Sequence, residues 1–429
     1  MAIARRWGTR FDASRGADPR AVAAYRLATD VVAKGSVFVL TVLAARQLSP
    51  QAFGLFALGS TLGWLAGVIS DAGVQLHVAR AVARSPTAMA GAIFKRWWTW
   101  RASAAIVALL SVALAARRWT NDAHDWLALV LFAATWILHG LAECIYHVFR
   151  GLARTDVEST LAATSRVVTV AAATLTLSAV ADALALATAT TVVAILMLQV
   201  TWTVAARLSP PKWSEAVARP RWREFATEIA PLGAGLVLSA LYFRIDVVLV
   251  EQWQGTSAVG AYNAVFRVVE ALRLVPAAIL AVSFRALCRA TSTSLMAGLA
   301  ARLTAGAVLL VSVLWIAAEQ LIPMVFGPSF ADAVPAFRTL LLAFPLMSLN
   351  YVLTTQLVAW DRHRAFAIVC AAALAVNVWL NAGLVPRWSI VGAAWATLGT
   401  EVAVTAGCLA ALLRGPGPGI TVSRSTEGM

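Results

Sequence analysis

About twelve runs of roughly 20 apolar residues fill this chain almost end to end, and its arginines and lysines collect mostly in every second gap between them. A hydrocarbon layer about 30 Å thick is crossed by a helix of about 20 residues, because only a helix satisfies every backbone polar group within its own segment. With 60% hydrophobic and 13% charged residues among 429, the chain is too apolar for one water-soluble core. The fold class that follows is all-α: a polytopic membrane protein with its residues in a bundle of crossing helices. The first 24 residues carry Arg5, Arg6, Arg10, Arg15 and Arg20 with no apolar run between them, so they read as a cytosolic tail rather than a secretory signal. A formal net charge of +14 then reflects basic cytosolic loops. No stacking or groove-reading pattern points to nucleic acid. Cys144, Cys288, Cys370 and Cys408 have no paired spacing and read as free thiols, with no metal site or disulfide frame.

Hydrophobic runs set against charged and Pro/Gly breaks predict spans near 27–45, 53–78, 102–117, 126–148, 158–180, 184–206, 229–250, 258–284, 303–320, 335–359, 365–385 and 390–413. With both termini inside, the cytosolic segments hold about 25 of the 35 Lys and Arg, Arg101, Arg150 and Arg362 among them. The exterior holds Arg46, Arg117, Arg118 and Arg387. The predicted location is therefore a bacterial inner membrane, with N- and C-termini cytosolic. The organisation is a tail over 1–26, a six-helix bundle over 27–206, an interfacial linker over 207–228, a second bundle over 229–413 and a tail over 414–429. The linker mixes Pro210, Pro211 and Lys212 with Trp213, Arg219, Arg221, Trp222 and Arg223, cations and indoles suited to the headgroup level.

A weak internal repeat supports two halves. SPQAFGLFALG (Ser49–Gly59) opens the second helix and TSAVGAYNAVF (Thr256–Phe266) opens the eighth, aligning Gly54 with Gly260 and Phe56 with Tyr262. Six helices per half leave the copies parallel, related by a pseudo-two-fold axis along the membrane normal, and repeats of this kind place a transport site between the bundles.

AARQLSPQAFGLFAL (Ala44–Leu58), SDAGV (Ser70–Val74), YFRIDVVLV (Tyr242–Val250), VGAYNAVFRVVE (Val259–Glu270) and VNVWLNAGLVPRWSIVGAAWAT (Val376–Thr397) resemble blocks of the polysaccharide-transport (O-antigen flippase) branch of the superfamily that also holds multidrug-and-toxin extruders and lipid II flippases. The resemblance runs from about Ala28 to Leu413, with Ser49 and Ser389 where that family has glycine and Ala72 where it has leucine. It implies a V-shaped pair of bundles that open alternately to each side and move a polyprenyl-pyrophosphate-linked oligosaccharide outward, without covalent chemistry or a cofactor. It also implies membrane lipid, a polysaccharide polymerase and a chain-length regulator as the company the protein keeps.

Lys34, Arg166, Arg244, Arg267, Arg273 and Arg338 cannot be assigned to loops. A charge at bilayer depth costs about 2.5–3.5 kcal/mol even on the insertion scale, so each must face protein or water. Guanidinium forks match a diphosphate, since parallel N–H donors meet paired oxygens. Arg244, Arg267 and Arg273 are thus the expected main anion contacts, with Lys34 and Arg166 as further substrate-binding cations. The purely structural alternative pairs Arg244 with Asp246 or Glu270 to hold helices seven and eight together.

Candidates for ion or proton coupling are Asp30, Asp71, His139, Glu143, Glu270 and Glu401. His139, Glu143 and His147 recur every four residues on the fourth helix and form a polar stripe that continues to Arg150. Spread over about 12 Å, the three cannot all ligate one metal ion. Glu401, Asn350, Asn377 and Asn381 are polar groups suited to bonding a neighbouring helix. Two rival readings stay open. A drug or cation exporter would share the architecture but prefer an acidic, aromatic pocket. A membrane glycosyltransferase would need a sizeable exterior segment, whereas the exterior gaps are only about 5 to 15 residues long.

Overall fold

The computed structural model describes residues 19–208, 220–290 and 292–414, and they are helical almost throughout. The tails and the linker core at 209–219 lie outside the described residues. The first half comprises α1 (Pro19–Gln47), α2 (Pro50–Asp71), a short α3 (Val74–Arg84), α4 (Ala90–Ala116), α5 (Ala123–Gly151), α6 (Thr155–Ala179) and α7 (Ala183–Leu208). The second comprises α8 (Ala230–Gln254), α9 (Thr256–Leu272), α10 (Leu274–Arg289), α11 (Ser294–Phe326), α12 (Val334–Ala359) and α13 (His363–Leu413).

Ten of these helices are long and apolar enough to cross a membrane. A further crossing is made by α9 and α10 together, one helix path broken at Arg273. The last helix, α13, is two crossings joined by a tight turn at Trp388 and Ser389. Its limbs run antiparallel: the Asn377 amide donates to Thr400, and Gly392 presses on the Leu384 carbonyl. Twelve crossings bring the described ends of the chain to one end of the molecule, termed here the basic end.

Local chemistry sets the breaks. Ser49 caps α2 by accepting from the Ala52 amide, and Pro50 occupies the first turn, where its missing N–H costs nothing. At the other end Ala72 takes a left-handed conformation, φ 44°, and Asp71 accepts from the amides of Gly73 and Gln75, turning the chain into α3. That helix is amphipathic: Val74, Val78 and Val82 face inward while Arg80 and Arg84 are exposed. The sequence expectation ran the second span on to residue 78. The αL residue ends it seven residues earlier because Asp71 offers the backbone a competing partner.

In the first bundle α2, α4, α6 and α7 pack around α5 and α1 packs on α6; in the second α8 and α12 pack on α13, and α11 on α12. The described end of the linker docks on the first bundle. Arg96 donates to Glu224 at 2.5 Å, and Trp100 lies 5.2 Å from Phe225 and 5.9 Å from Trp222, centroid to centroid.

The bundles touch at both ends of α2: a Cβ on Gly233 would lie 1.8 Å from the Ala72 carbonyl oxygen at the basic end, and the two repeat segments meet at the far end. A Cβ on Gly54 would sit 2.0 Å from the Thr256 carbonyl oxygen, and one on Gly260 would press on Phe53 and Gly54. Ser257 donates to Gln51 at 3.2 Å, and Phe53 meets Phe330 edge-on at 5.5 Å. The repeated glycine is therefore the contact itself: the two copies close on one another.

Two substitutions test this reading by thermal unfolding of the detergent-purified protein. Gly54→Val should destabilise by about 1–3 kcal/mol, since backbone blocks any relief. Ser389 holds φ 49° and ψ −135°, a region essentially reserved for glycine, so Ser389→Gly should stabilise by about 1 kcal/mol.

Candidate functional site

Between the bundles lie two adjoining chambers. The first, about 730 Å³, is bounded by α1, α2, α5, α6 and the end of α9; the second, about 450 Å³, by α2, α5 and α8. A third groove of about 400 Å³ continues along α10 and α12 and shares Tyr242 and Arg273 with the second.

The first chamber is polar for a reason of helical spacing. On α5, His139, Glu143, His147 and Arg150 fall on one stripe, and all four line it. His139 is buried, with Nδ1 2.7 Å from the Thr135 carbonyl and Nε2 3.4 Å from Ser165. Glu143 is exposed to the cavity. Arg150 pairs with Glu158 at the basic end of the chamber. From α1, Asp30 and Lys34 enter one turn apart; from α6, Arg166 enters with its guanidinium 5.0 Å over the Trp136 ring. Lys34 and Arg166 have no carboxylate within ion-pair distance among the described residues, and the carboxylates of Asp30 and Glu143 likewise accept no hydrogen bond there.

The five predicted substrate cations divide by geometry. Lys34, Arg166 and Arg267 line the first chamber, and Arg273 lines the second and the groove. Arg244 lines neither chamber: it is 4% exposed, stacked 4.6 Å over Phe266, and donates to Asn263 at 3.3 Å and to Glu270 at 2.5 Å. Glu270 also accepts from Arg267 at 2.7 Å, so one carboxylate is shared by two arginines and the local charge stays positive. Arg244 therefore stands behind the cavity wall, as the structural alternative had it, with Glu270 rather than Asp246 as partner. Asp246 instead accepts from the Tyr262 hydroxyl at 2.5 Å. Arg273 occupies the break between α9 and α10, has no ion pair among the described residues, and lies 4.2 Å from the Phe243 ring and 5.5 Å from that of Tyr351. Arg338 is remote, paired with Glu319 at 3.1 Å.

The coupling candidates divide too. Asp30, His139, Glu143 and Glu270 line the first chamber, and Asp71 the second. Glu401 is buried away from both, accepting from Asn350 at 2.7 Å and so tying α13 to α12. Asp71 lies 3.6 Å from Arg101, which is wholly buried inside α4 and donates to Ser70 at 2.9 Å. Arg101 had been assigned to the loop before this span. Lys95 and Arg96 made the start of α4 resemble an interface, whereas the helix begins at Ala90 and carries Arg101 three turns in. Trp64 and Trp136 were not singled out either. The available signal was an indole near mid-span on each of two neighbouring helices, amid small and aliphatic residues.

Twelve crossings in two bundles around a charged cavity make a polytopic membrane protein whose polar groups are gathered between its halves. The fold matches the lipid II flippase MurJ in its inward closed conformation, with TM-score 0.70, 10% identity and coverage of 90% of this chain and 86% of that one. It also matches an inward-facing multidrug resistance MATE family transporter of the MOP superfamily, with TM-score 0.65, 13% identity and 91% and 98% coverage. A third match is the MATE multidrug transporter DinF-BH in complex with R6G, with TM-score 0.64, 12% identity and 92% and 94% coverage. No curated relative matches the chain in sequence. The model of the polysaccharide biosynthesis protein family matches residues 22–290, and the chain belongs to that family.

The shared carboxylate gives a direct test. Glu270→Gln leaves Arg244 buried without its charge partner and should cost about 3 kcal/mol in thermal unfolding. Adding Arg244→Met should recover part of that loss, so the two changes are non-additive in a double-mutant cycle.

Proposed function

We propose that this transporter flips a polyprenyl-pyrophosphate-linked oligosaccharide from the cytosolic to the outer leaflet of a bacterial inner membrane by alternating access, with both termini cytosolic. The observation that carries the reading is the set of cavity cations left without ion pairs, Lys34, Arg166 and Arg273, beside two arginines that share Glu270. A diphosphate is an anion that hydrocarbon does not solvate, and guanidinium groups in a wet cavity replace its lost hydration while the prenyl tail stays in lipid. The cavity reaches the basic end at Asp30 and Arg150, both exposed, and the repeat contact seals the far end. With basic loops on the cytosolic side, loading is from that side, past Asp30 and Arg150.

Transport needs no bond made or broken by the protein. Capture of the headgroup by Lys34, Arg166, Arg267 and Arg273 is followed by separation of Gly54 from Thr256 and release outside. Asp30 and Glu143, the cavity carboxylates without partners, are the groups available to couple this cycle to a proton or cation. The same two acids, with Trp64 and Trp136, are what a drug or cation exporter would use, so this reading is the rival to exclude.

Two measurements decide. Depletion of the protein should leave a polyprenyl-diphosphate-linked oligosaccharide accumulating on the cytosolic leaflet; accumulation of no such lipid, with raised sensitivity to cationic dyes, would favour the exporter. Arg166→Ala, Arg267→Ala and Arg273→Ala should each lower glycan export about tenfold or more at unchanged protein level, while Arg338→Ala, at its remote pair, should not.

A further inference from the structure

The two chambers differ in chemistry, and the boundary between them is made by two indoles together with His139 and Glu143. Trp64 and Trp136 line both chambers. They stand on adjacent helices, α2 and α5, where a Cβ on Gly67 would lie 3.9 Å from the Trp136 carbonyl oxygen. Both are half-buried, and neither indole N–H has an acceptor among the described residues.

On one side of this wall stand Lys34 and Arg166, two of the three cavity cations without ion pairs among the described residues. On the other, a single arginine, Arg273, stands against two carboxylates, Asp71 and Glu143, so no surplus of cations faces a diphosphate there, and the rest of the lining is uncharged. The Gln75 amide donates to the Gly140 carbonyl at 3.0 Å, which leaves its own oxygen as an acceptor, and the Tyr242 hydroxyl has no partner among the described residues. A diphosphate has no use for an aromatic face, an amide oxygen or a phenol. A pyranose ring does: its C–H face is apolar and packs flat on an indole, while its rim of hydroxyls takes hydrogen bonds from N–H and O–H groups and gives them to an amide oxygen.

We propose that Trp64 and Trp136 form a glycan subsite, on which the sugar next to the diphosphate stacks. The diphosphate lies in the first chamber with Lys34 and Arg166, and the rest of the glycan extends through the second along Gln75 and Tyr242. The inference rests on the lipid-linked glycan reading above and adds a direction to it: the headgroup binds with its charged end toward α1 and its sugar end toward α8. Recognition is then divided, with the cations reading the carrier that all such lipids share and the indole wall reading the first sugar.

The test is binding by the purified full-length protein of two probes, bare polyprenyl diphosphate and the same lipid carrying an N-acetylhexosamine–hexose disaccharide. Trp64→Ala should weaken the glycosylated probe about tenfold or more and change the bare one by less than about twofold, and Trp64→Phe should restore most of the loss, since a ring face remains. Trp136→Ala, which also removes the ring beneath Arg166, should weaken both probes but the glycosylated one more. Arg166→Ala should weaken both equally. Retained binding of the bare lipid serves as the folding control for Trp64→Ala and Trp64→Phe, and an unchanged thermal unfolding midpoint serves for Trp136→Ala and Arg166→Ala. Equal weakening of the two probes by Trp64→Ala, or weakening of neither, overturns the subsite while leaving the lipid-linked glycan reading intact. Wild-type protein that binds neither probe overturns that reading, and the subsite with it.

Discussion

Hydrocarbon cannot solvate a charge, and the arrangement of this protein follows from where its intramembrane charges are allowed to go. Arg101 and Arg244 are matched inside a bundle, against Asp71 and Ser70 in one case and Glu270 and Asn263 in the other. The remaining cations, Lys34, Arg166, Arg267 and Arg273, are turned into the space between bundles, where water reaches them. Filling that space with side chains would strand them; leaving it open keeps them hydrated and makes a cavity. The requirement that makes the charges tolerable therefore also makes the site.

Glu270 links the two classes. It accepts from buried Arg244 and from cavity-lining Arg267 at once, so part of the charge it neutralises lies behind the wall and part in front. An arrangement with one carboxylate per arginine would leave the pair neutral, whereas the shared carboxylate leaves it one positive charge. Glu270 stands one turn before the break at Arg273, where α9 ends and α10 begins, so a shift of that break would move both the shared carboxylate and the cation beyond it. The far-end closure is built on different physics. Gly54 and Thr256 touch through backbone atoms, with Ser257 bonded to Gln51, and around them Phe53 and Phe56 pack with Val259 and Phe330 in one apolar cluster shared by both halves.

Much of this was legible in the residues alone. The apolar runs and the placement of Arg and Lys were enough for the crossings, because a membrane span must satisfy a length and a polarity that few other elements share. The polar stripe of His139, Glu143 and His147 was legible because helical periodicity is local. Arg101 was misplaced because two neighbouring cations blurred a helix start, and Arg244 could not be separated from Arg267, since both are arginines at bilayer depth on consecutive helices. Which of them faces the cavity depends on the rotation of α8 against α9, and no local pattern encodes that.

By itself, then, the sequence determined an all-helical membrane protein of even span number, with a repeated segment in each half and a handful of charges that had to face inward. Only the tertiary structure decided that the two repeat segments close against one another through Gly54 and Thr256, that Glu270 serves two arginines, and that Trp64 and Trp136 divide the cavity. The reason is physical: the first set follows from solvation of single helices, which each residue carries with it, whereas the second follows from contacts between helices far apart in the chain, which exist only once the bundles have packed.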